Sequence, residues 1–188
     1  MLKILGAGLP RTGTKTLCEA LRMLRFNAIH HEPKRLRLFT ALPIPQHVAV
    51  YDNVDAVLDC PAAMYWREIY QHYKCKVILT TREPADWWES IKWHTNQIRS
   101  SDNMSHIRYT DDLHGLLFGV ATPHEYWWRR RYEEHNQAVR DAIPSEDLLE
   151  MDIVAGDKWD NLCEFLDVPK PDAEFPWEHR RRKPCLIG

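Results

Sequence analysis

Leu2-Lys3-Ile4-Leu5-Gly6-Ala7-Gly8-Leu9-Pro10-Arg11-Thr12-Gly13-Thr14-Lys15-Thr16 starts as an apolar run, passes closely spaced glycines and ends in basic and hydroxyl residues. Leu2 to Gly6 reads as a buried strand entering a tight turn. From Thr14 to Leu24, the residues Leu17, Leu21 and Leu24 recur at helical spacing without Gly or Pro, so a helix follows. Strand, glycine turn and helix together open a βαβ unit. The alternation continues: strands are expected at Phe26 to His30, Val54 to Leu58, Val77 to Leu79 and Leu148 to Met151. Helices are expected from Ala62 to Tyr73, from Glu83-Pro84 to about Ile98, from about Pro123 to Ala142 and from Lys158 to Leu166. Pro84 suits an early helical position, and Glu83 and Asp86 lie near the positive end of that helix. The near-continuous run Val77-Ile78-Leu79 suits a parallel strand covered on both faces. The predicted class is therefore α/β, a doubly wound parallel sheet with helices on both faces. Segment 31–50 is expected to be a connecting excursion. Segment 99–121, polar at first and carrying Gly115 and Gly119, is expected to be a mobile insertion that serves as a lid.

At 188 residues, 44% of them hydrophobic and 28% charged, the chain is expected to fold as one domain over 1–188. No apolar run approaches the roughly 20 residues that span a bilayer, so no membrane partner is expected. The amino terminus lacks the apolar stretch and small-residue cleavage site of a secretory signal, which predicts a cytoplasmic protein. Twenty-five Lys and Arg against 27 Asp and Glu give a net charge of −2, which does not suggest a nucleic acid partner. Any anion site must be local. The clusters Arg129-Arg130-Arg131 and Arg180-Arg181-Arg182-Lys183 read first as solvated surface. Five scattered cysteines without a CxxC pair point to reduced thiols, with neither a disulfide framework nor a metal site.

In an open parallel sheet, ligands sit beyond the carboxyl ends of the strands, where turns lead into helix amino termini. Residues 8–16 occupy such a turn. Their glycines let the backbone bend sharply, while Arg11, Lys15 and the threonines Thr12, Thr14 and Thr16 supply charge and hydroxyls. That composition is a phosphate cradle of the P-loop nucleotide-binding type. Gly8 and Gly13 have the spacing of the Walker pattern G-x-x-x-x-G-K-[ST], but Thr14 intervenes before Lys15-Thr16. The one-residue shift moves the lysine and the magnesium-binding hydroxyl out of place. A P-loop kinase, with Asp59 as the acid after an apolar strand, is therefore an alternative reading. A nucleotide-binding module without catalysis is another.

Pro10-Arg11-Thr12-Gly13-Thr14 resembles, at every position, the phosphosulfate loop P-[KR]-[ST]-G-T of sulfotransferases that use 3′-phosphoadenosine 5′-phosphosulfate (PAPS). A second element agrees with it. The strand Val77-Ile78-Leu79-Thr80-Thr81 ends at Arg82, and Ser90 follows eight residues later; in those enzymes the matching Arg and Ser hold the donor 3′-phosphate. The stretches Val57 to Glu68 and Trp159 to Pro176 resemble the same family. The resemblance implies in-line transfer of a sulfuryl group from PAPS to a hydroxyl or amine of a small-molecule or saccharide acceptor. PAP would be the product, and no metal would be needed. It implies donor contacts from Arg11, Thr12, Gly13, Thr14, Lys15, Thr16, Arg82 and Ser90, with Arg11 stabilising charge on the leaving phosphate.

The acceptor hydroxyl must lose a proton. Asp59, in Asp59-Cys60-Pro61 at the next strand end, occupies the position where many of these enzymes carry a catalytic His, and is the candidate base. An ordinary Asp is too weak a base, so burial or a like charge would have to raise its pKa. The alternatives are that Asp59 caps a helix and that His30 or His31 is the base. Two family features are missing. Thr16 replaces the Trp that stacks on adenine, and Val57 replaces a lysine two residues before the base. Tyr132 reads as a helix-core residue, or as part of a donor-contacting segment. The resemblance implies that Arg180 to Lys183 closes over the 3′-phosphate, as a basic carboxyl-terminal loop does in larger members.

Overall fold

The computed structural model describes residues 1–31 and 49–177. Five parallel strands form one sheet: β1 (Ile4–Gly6), β2 (Ala28–His30), β3 (Ala56–Leu58), β4 (Lys76–Thr80) and β5 (Leu148–Met151), in the order β2-β3-β1-β4-β5. The helices are α1 (Thr14–Met23), α2 (Trp66–Tyr73), α3 (Pro84–Arg99), α4 (Met104–Phe118), α5 (Glu125–Ala142) and α6 (Trp159–Leu166). β1 lies in the middle, with Ile4 level with Ala56 on one side and Lys76 on the other. Its carboxyl end is therefore where the chain crosses from one half of the sheet to the other, the place where such sheets bind ligands.

Strand alternation sends side chains to two separate cores. Leu5, Val57, Val77 and Leu79 pack with Trp66 and Ile69 of α2 and Val139 of α5. Ile4, Leu58, Ile78 and Met151 pack on the other face with Leu17 and Leu21 of α1 and Leu162 of α6. The sheet is thus doubly wound, as its apolar runs imply. A third cluster, rich in aromatic rings, joins Leu9 of the glycine turn to Trp87, Trp88, Phe118, Trp128 and Tyr132. Of the adjacent pairs Trp87-Trp88 and Trp127-Trp128, three rings go to the packing of α3, α4 and α5, and Trp127 stays 42% exposed.

Segment 99–121 departs from expectation, because residues 104–118 form a regular helix. The Asn103 side chain caps its start by accepting the His106 N–H at 3.0 Å, and Gly119 ends it with φ 78°. Thr110, Leu113, His114 and Phe118 are buried on one face. Gly115 misled the reading: it sits in mid-helix over open space, where glycine costs only helix propensity. Residues 32–48 of the expected excursion lie outside the described residues, as do Arg180 to Lys183.

Candidate active site

Three donors hold the glycine turn after β1 from behind. His135 Nε2 donates to the Ala7 carbonyl at 2.7 Å, the Thr12 hydroxyl to the Leu9 carbonyl at 2.7 Å, and Trp87 Nε1 to the Pro10 carbonyl at 2.9 Å. Burial pushes the His135 imidazole below its ordinary pKa, against the Ala7 hydrogen bond, so the ring donates in its neutral form. The carbonyls of Ala7, Leu9 and Pro10 are thereby occupied, and the start of α1 has no side-chain cap, the kind of helix amino terminus that attracts anions. The turn also lies hard against β4. A Cβ at Gly8 would collide with the Thr80 hydroxyl and come within 2.6 Å of the Thr80 carbonyl oxygen, so no side chain fits there. Arg11, with φ 74°, takes a left-handed conformation that costs a non-glycine residue roughly 1 kcal/mol.

The sequence-predicted residues divide by what their side chains touch. Thr12 turns its hydroxyl inward, 2.7 Å from that of Thr80, so the group it can offer a ligand is its backbone N–H. Thr14 likewise directs its hydroxyl to Asp59. Lys15 is partly exposed and Thr16 is buried. Arg11 and Ser90 come together: Arg11 Nε donates to Ser90 Oγ at 3.2 Å, across 79 residues of chain. Arg82 stands just ahead of the same helix, α3. The Tyr132 hydroxyl grips its peptide on both sides, accepting the Arg82 N–H at 2.8 Å and donating to the Arg82 carbonyl at 2.7 Å. Tyr132 is itself 1% exposed and stacks on Trp87 at 4.2 Å and 11°. It is a core residue that sets the position of Arg82. The Arg82 Nε is buried without a hydrogen-bond partner. The residue lines a cleft of about 560 Å³ with Tyr132, Arg140 and the acidic Glu83, Glu150 and Asp152, and neither Arg11 nor Ser90 reaches that cleft.

Asp59 follows β3 with φ 66° and is 6% exposed. Its Oδ2 accepts the Thr14 hydroxyl at 2.7 Å and lies 3.2 Å from His30 Nε2. Its Oδ1 accepts the Cys60 N–H at 2.6 Å and lies 3.8 Å from His31 Nδ1. Burial pushes the Asp59 pKa up, but the His30 hydrogen bond, the His30 and His31 charges and the Thr14 hydroxyl outweigh it. Together they bring the value from the ordinary 3.8 down to about 2. The sequence reading of Asp59 as a base needed that value raised; here the environment favours the carboxylate and makes it a weaker proton acceptor. Nor does Asp59 cap a helix, since the next one, α2, has Tyr65 at its N-cap.

The depressed value fixes a pH dependence. A carboxyl with a lower pKa in the folded than in the unfolded chain contributes stability present above about pH 4 and lost as pH falls toward 2. Chemical denaturation should show the wild type losing stability across that window and Asp59→Asn losing less of it. Parallel losses would show that Asp59 is not the group responsible.

Sequence reasoning missed Trp87, His135 and Tyr109. Trp87 and His135 act through the backbone of a loop far away in the chain, which leaves no local signature. Tyr109, from α4, sets its ring edge on His31 at 5.6 Å and buries a hydroxyl that has no partner. The spacing of Tyr109, Leu113 and Leu117 on one helical face is a signal that could have found it.

A five-stranded parallel sheet with a glycine turn at the carboxyl end of its central strand defines an α/β protein of the doubly wound class. A family model described as "Sulfotransferase domain" matches residues 3–183, and the chain belongs to that family. "Ava biosynthesis cluster protein M" of Aspergillus versicolor is 29% identical over 209 residues, covering 93% of this chain and 80% of that protein. The crystal structure of a sulfotransferase from Alicyclobacillus acidocaldarius has the same fold, with a TM-score of 0.60 at 14% identity over 98% of this chain and 87% of the other. A mouse sulfotransferase complexed with PAP aligns with a TM-score of 0.51 at 13% identity, over 91% of this chain and 59% of that one.

Proposed function

We infer that this protein transfers a sulfuryl group from PAPS to a hydroxyl or amine of a small-molecule or saccharide acceptor, by in-line displacement, leaving PAP. The observation that carries this reading is the 3.2 Å contact of Arg11 with Ser90. It joins the turn suited to a 5′-phosphosulfate to the helix that begins just after Arg82, the residue suited to a 3′-phosphate. The residues fit such a donor: the buried Arg82 Nε lacks a partner, and an anionic oxygen would supply one. The mouse relative bound to PAP supports the same donor.

In this reading the donor supplies an activated sulfuryl group and a phosphate leaving group. The amides at the start of α1 bind the 5′ end and hold it in line with the acceptor. Arg11 faces the oxygen on which charge grows and stabilises it more in the transition state than in the ground state. Arg82 and Ser90 take the 3′-phosphate, and Tyr132 keeps the Arg82 backbone in place for it.

Thermal shift with PAP, with ATP plus magnesium and with AMP tests the donor assignment. PAP should stabilise the protein most, and stabilisation by ATP plus magnesium alone would favour a kinase. Arg82→Ala should weaken PAP about 10- to 100-fold, the worth of one or two charge-assisted hydrogen bonds, while AMP binding changes little. Equal losses for PAP and AMP would remove Arg82 from the 3′-phosphate. PAP binding without any release of PAP from PAPS would instead indicate a non-catalytic module.

A further inference from the structure

We propose that His30, rather than Asp59, takes the proton of the acceptor, and that Asp59 and Thr14 hold its ring for that task. The proposal rests on the sulfuryl-transfer reading above. His30 ends β2 level with Leu58 of β3, so Asp59, the next residue, emerges beside it. Its Nε2 lies 3.2 Å from Asp59 Oδ2 and 3.1 Å from Thr14 Oγ1. The Thr14 hydroxyl gives its own proton to that same Oδ2, so both neighbours of Nε2 present acceptor lone pairs to it. Nε2 therefore carries the hydrogen, and Nδ1 is the basic nitrogen of the neutral ring.

Asp59 is ill placed to take a proton itself. Oδ2 already serves Thr14 and His30, and Oδ1 serves the Cys60 N–H and faces His31. What a buried, hydrogen-bonded carboxylate can do is fix the tautomer of an imidazole and stabilise the imidazolium that forms, the part played by the carboxylate in a Ser-His-Asp triad. It is a positioning residue. Thr14 is the first residue of α1 and the last of the Pro10–Thr14 turn, which puts the ring at the edge of the site where the sulfuryl group would arrive. The His30 side chain is 23% exposed, enough for an acceptor to reach it.

The charges around the ring are accounted for element by element. Asp59 faces it from the end of β3, Thr14 from α1, and His31 is the next residue, with ring centroids 6.3 Å apart. His31 in turn meets Tyr109 of α4 and feels the charge of His106. Burial chiefly lowers the His31 pKa, so this second imidazole adds little positive charge near neutral pH. Among the described residues, Asp59 is the anion at the pair, and it faces the imidazolium that forms as the reaction proceeds.

In the step itself the acceptor oxygen forms its bond to sulfur while its proton passes to His30 Nδ1. The bond from sulfur to the bridging phosphate oxygen breaks, and its electron pair leaves on PAP. His30 then returns the proton to solvent.

Calorimetry with PAP and release of PAP from PAPS, with 2-naphthol or water as acceptor, test this together. His30→Ala should bind PAP like the wild type and turn over about 10²- to 10⁴-fold more slowly, the usual worth of a positioned base. It should lose the acid limb of the kcat/KM profile and regain part of its rate with added imidazole. Asp59→Asn should keep that limb and lose less turnover than His30→Ala, because it removes only a group that orients the ring. Near-wild-type turnover by His30→Ala, or a limb that vanishes in Asp59→Asn and persists in His30→Ala, would overturn the assignment. So would transfer of the limb and the rescue to His31→Ala. Independently of any acceptor, ¹⁵N spectra should show neutral His30 protonated at Nε2, and protonation at Nδ1 would refute the arrangement. Failure of the wild type to bind PAP is a different result: it removes the donor reading first.

Discussion

Arg11→Ala is expected to lower turnover about 10²- to 10³-fold while weakening PAP binding far less, because the charge that Arg11 faces is largest while the bond to sulfur is breaking. A guanidinium is permanently charged, so its contribution is electrostatic and does not depend on proton donation. Arg11→Lys should therefore recover part of the rate, since it keeps the charge but loses the planar fork that meets Ser90 through Nε at 3.2 Å. The comparison to make is kcat for PAPS turnover against Kd for PAP in all three proteins. Equal losses in both quantities for Arg11→Ala would mean that Arg11 only binds the donor, and the transition-state role would have to be abandoned.

Trp87→Ala should be the most damaging of the packing changes. The ring is fully buried, stacks on Tyr132 at 4.2 Å and meets Phe118 edge-on at 5.7 Å. Truncating such a residue costs about 3–5 kcal/mol, and a protein of this size should lose roughly 10 °C or more in Tm. Loss of function should accompany the loss of stability for a separate reason. Trp87 Nε1 holds the Pro10 carbonyl, and its ring supports the tyrosine that grips Arg82, so one side chain braces both proposed anion sites. Trp87→Phe separates the two effects. It keeps most of the apolar area and removes the hydrogen bond, so it should cost about 1–3 kcal/mol and still weaken PAP. A Phe variant that binds PAP like the wild type would show that the bond to Pro10 does not shape the loop.

Most of the fold was legible because its signals are local. The Leu2 to Gly6 run, the Leu17, Leu21 and Leu24 spacing and the Val77 to Leu79 run each report on burial of their own element. In the structure these become β1, α1 and β4 with boundaries shifted by only a residue or two. Residues 99–121 misled because a mid-helix glycine and a polar start imitate a loop, and only packing against α3 and α5 reveals the buried face of α4. The proposed donor loop was legible for a similar reason: the Pro10–Thr14 motif and the interval from Arg82 to Ser90 are contiguous in sequence.

Chemistry spread over several elements was beyond the sequence. Asp59 stood out by its place after a strand, but whether burial or hydrogen bonding would prevail there depended on Thr14 from α1 and His30 from β2, and they reverse the expected shift. The inward turn of the Thr12 hydroxyl depended in the same way on Thr80, 68 residues away. Sequence by itself determined the strands, the helices other than α4 and the composition of the glycine turn, since periodicity acts within one element. Tertiary structure alone decided which hydroxyls, rings and carboxylates satisfy one another and which are left to meet a ligand. A hydrogen bond works over about 3 Å, and the partners that compete for it arrive from parts of the chain that have no sequence relation to each other.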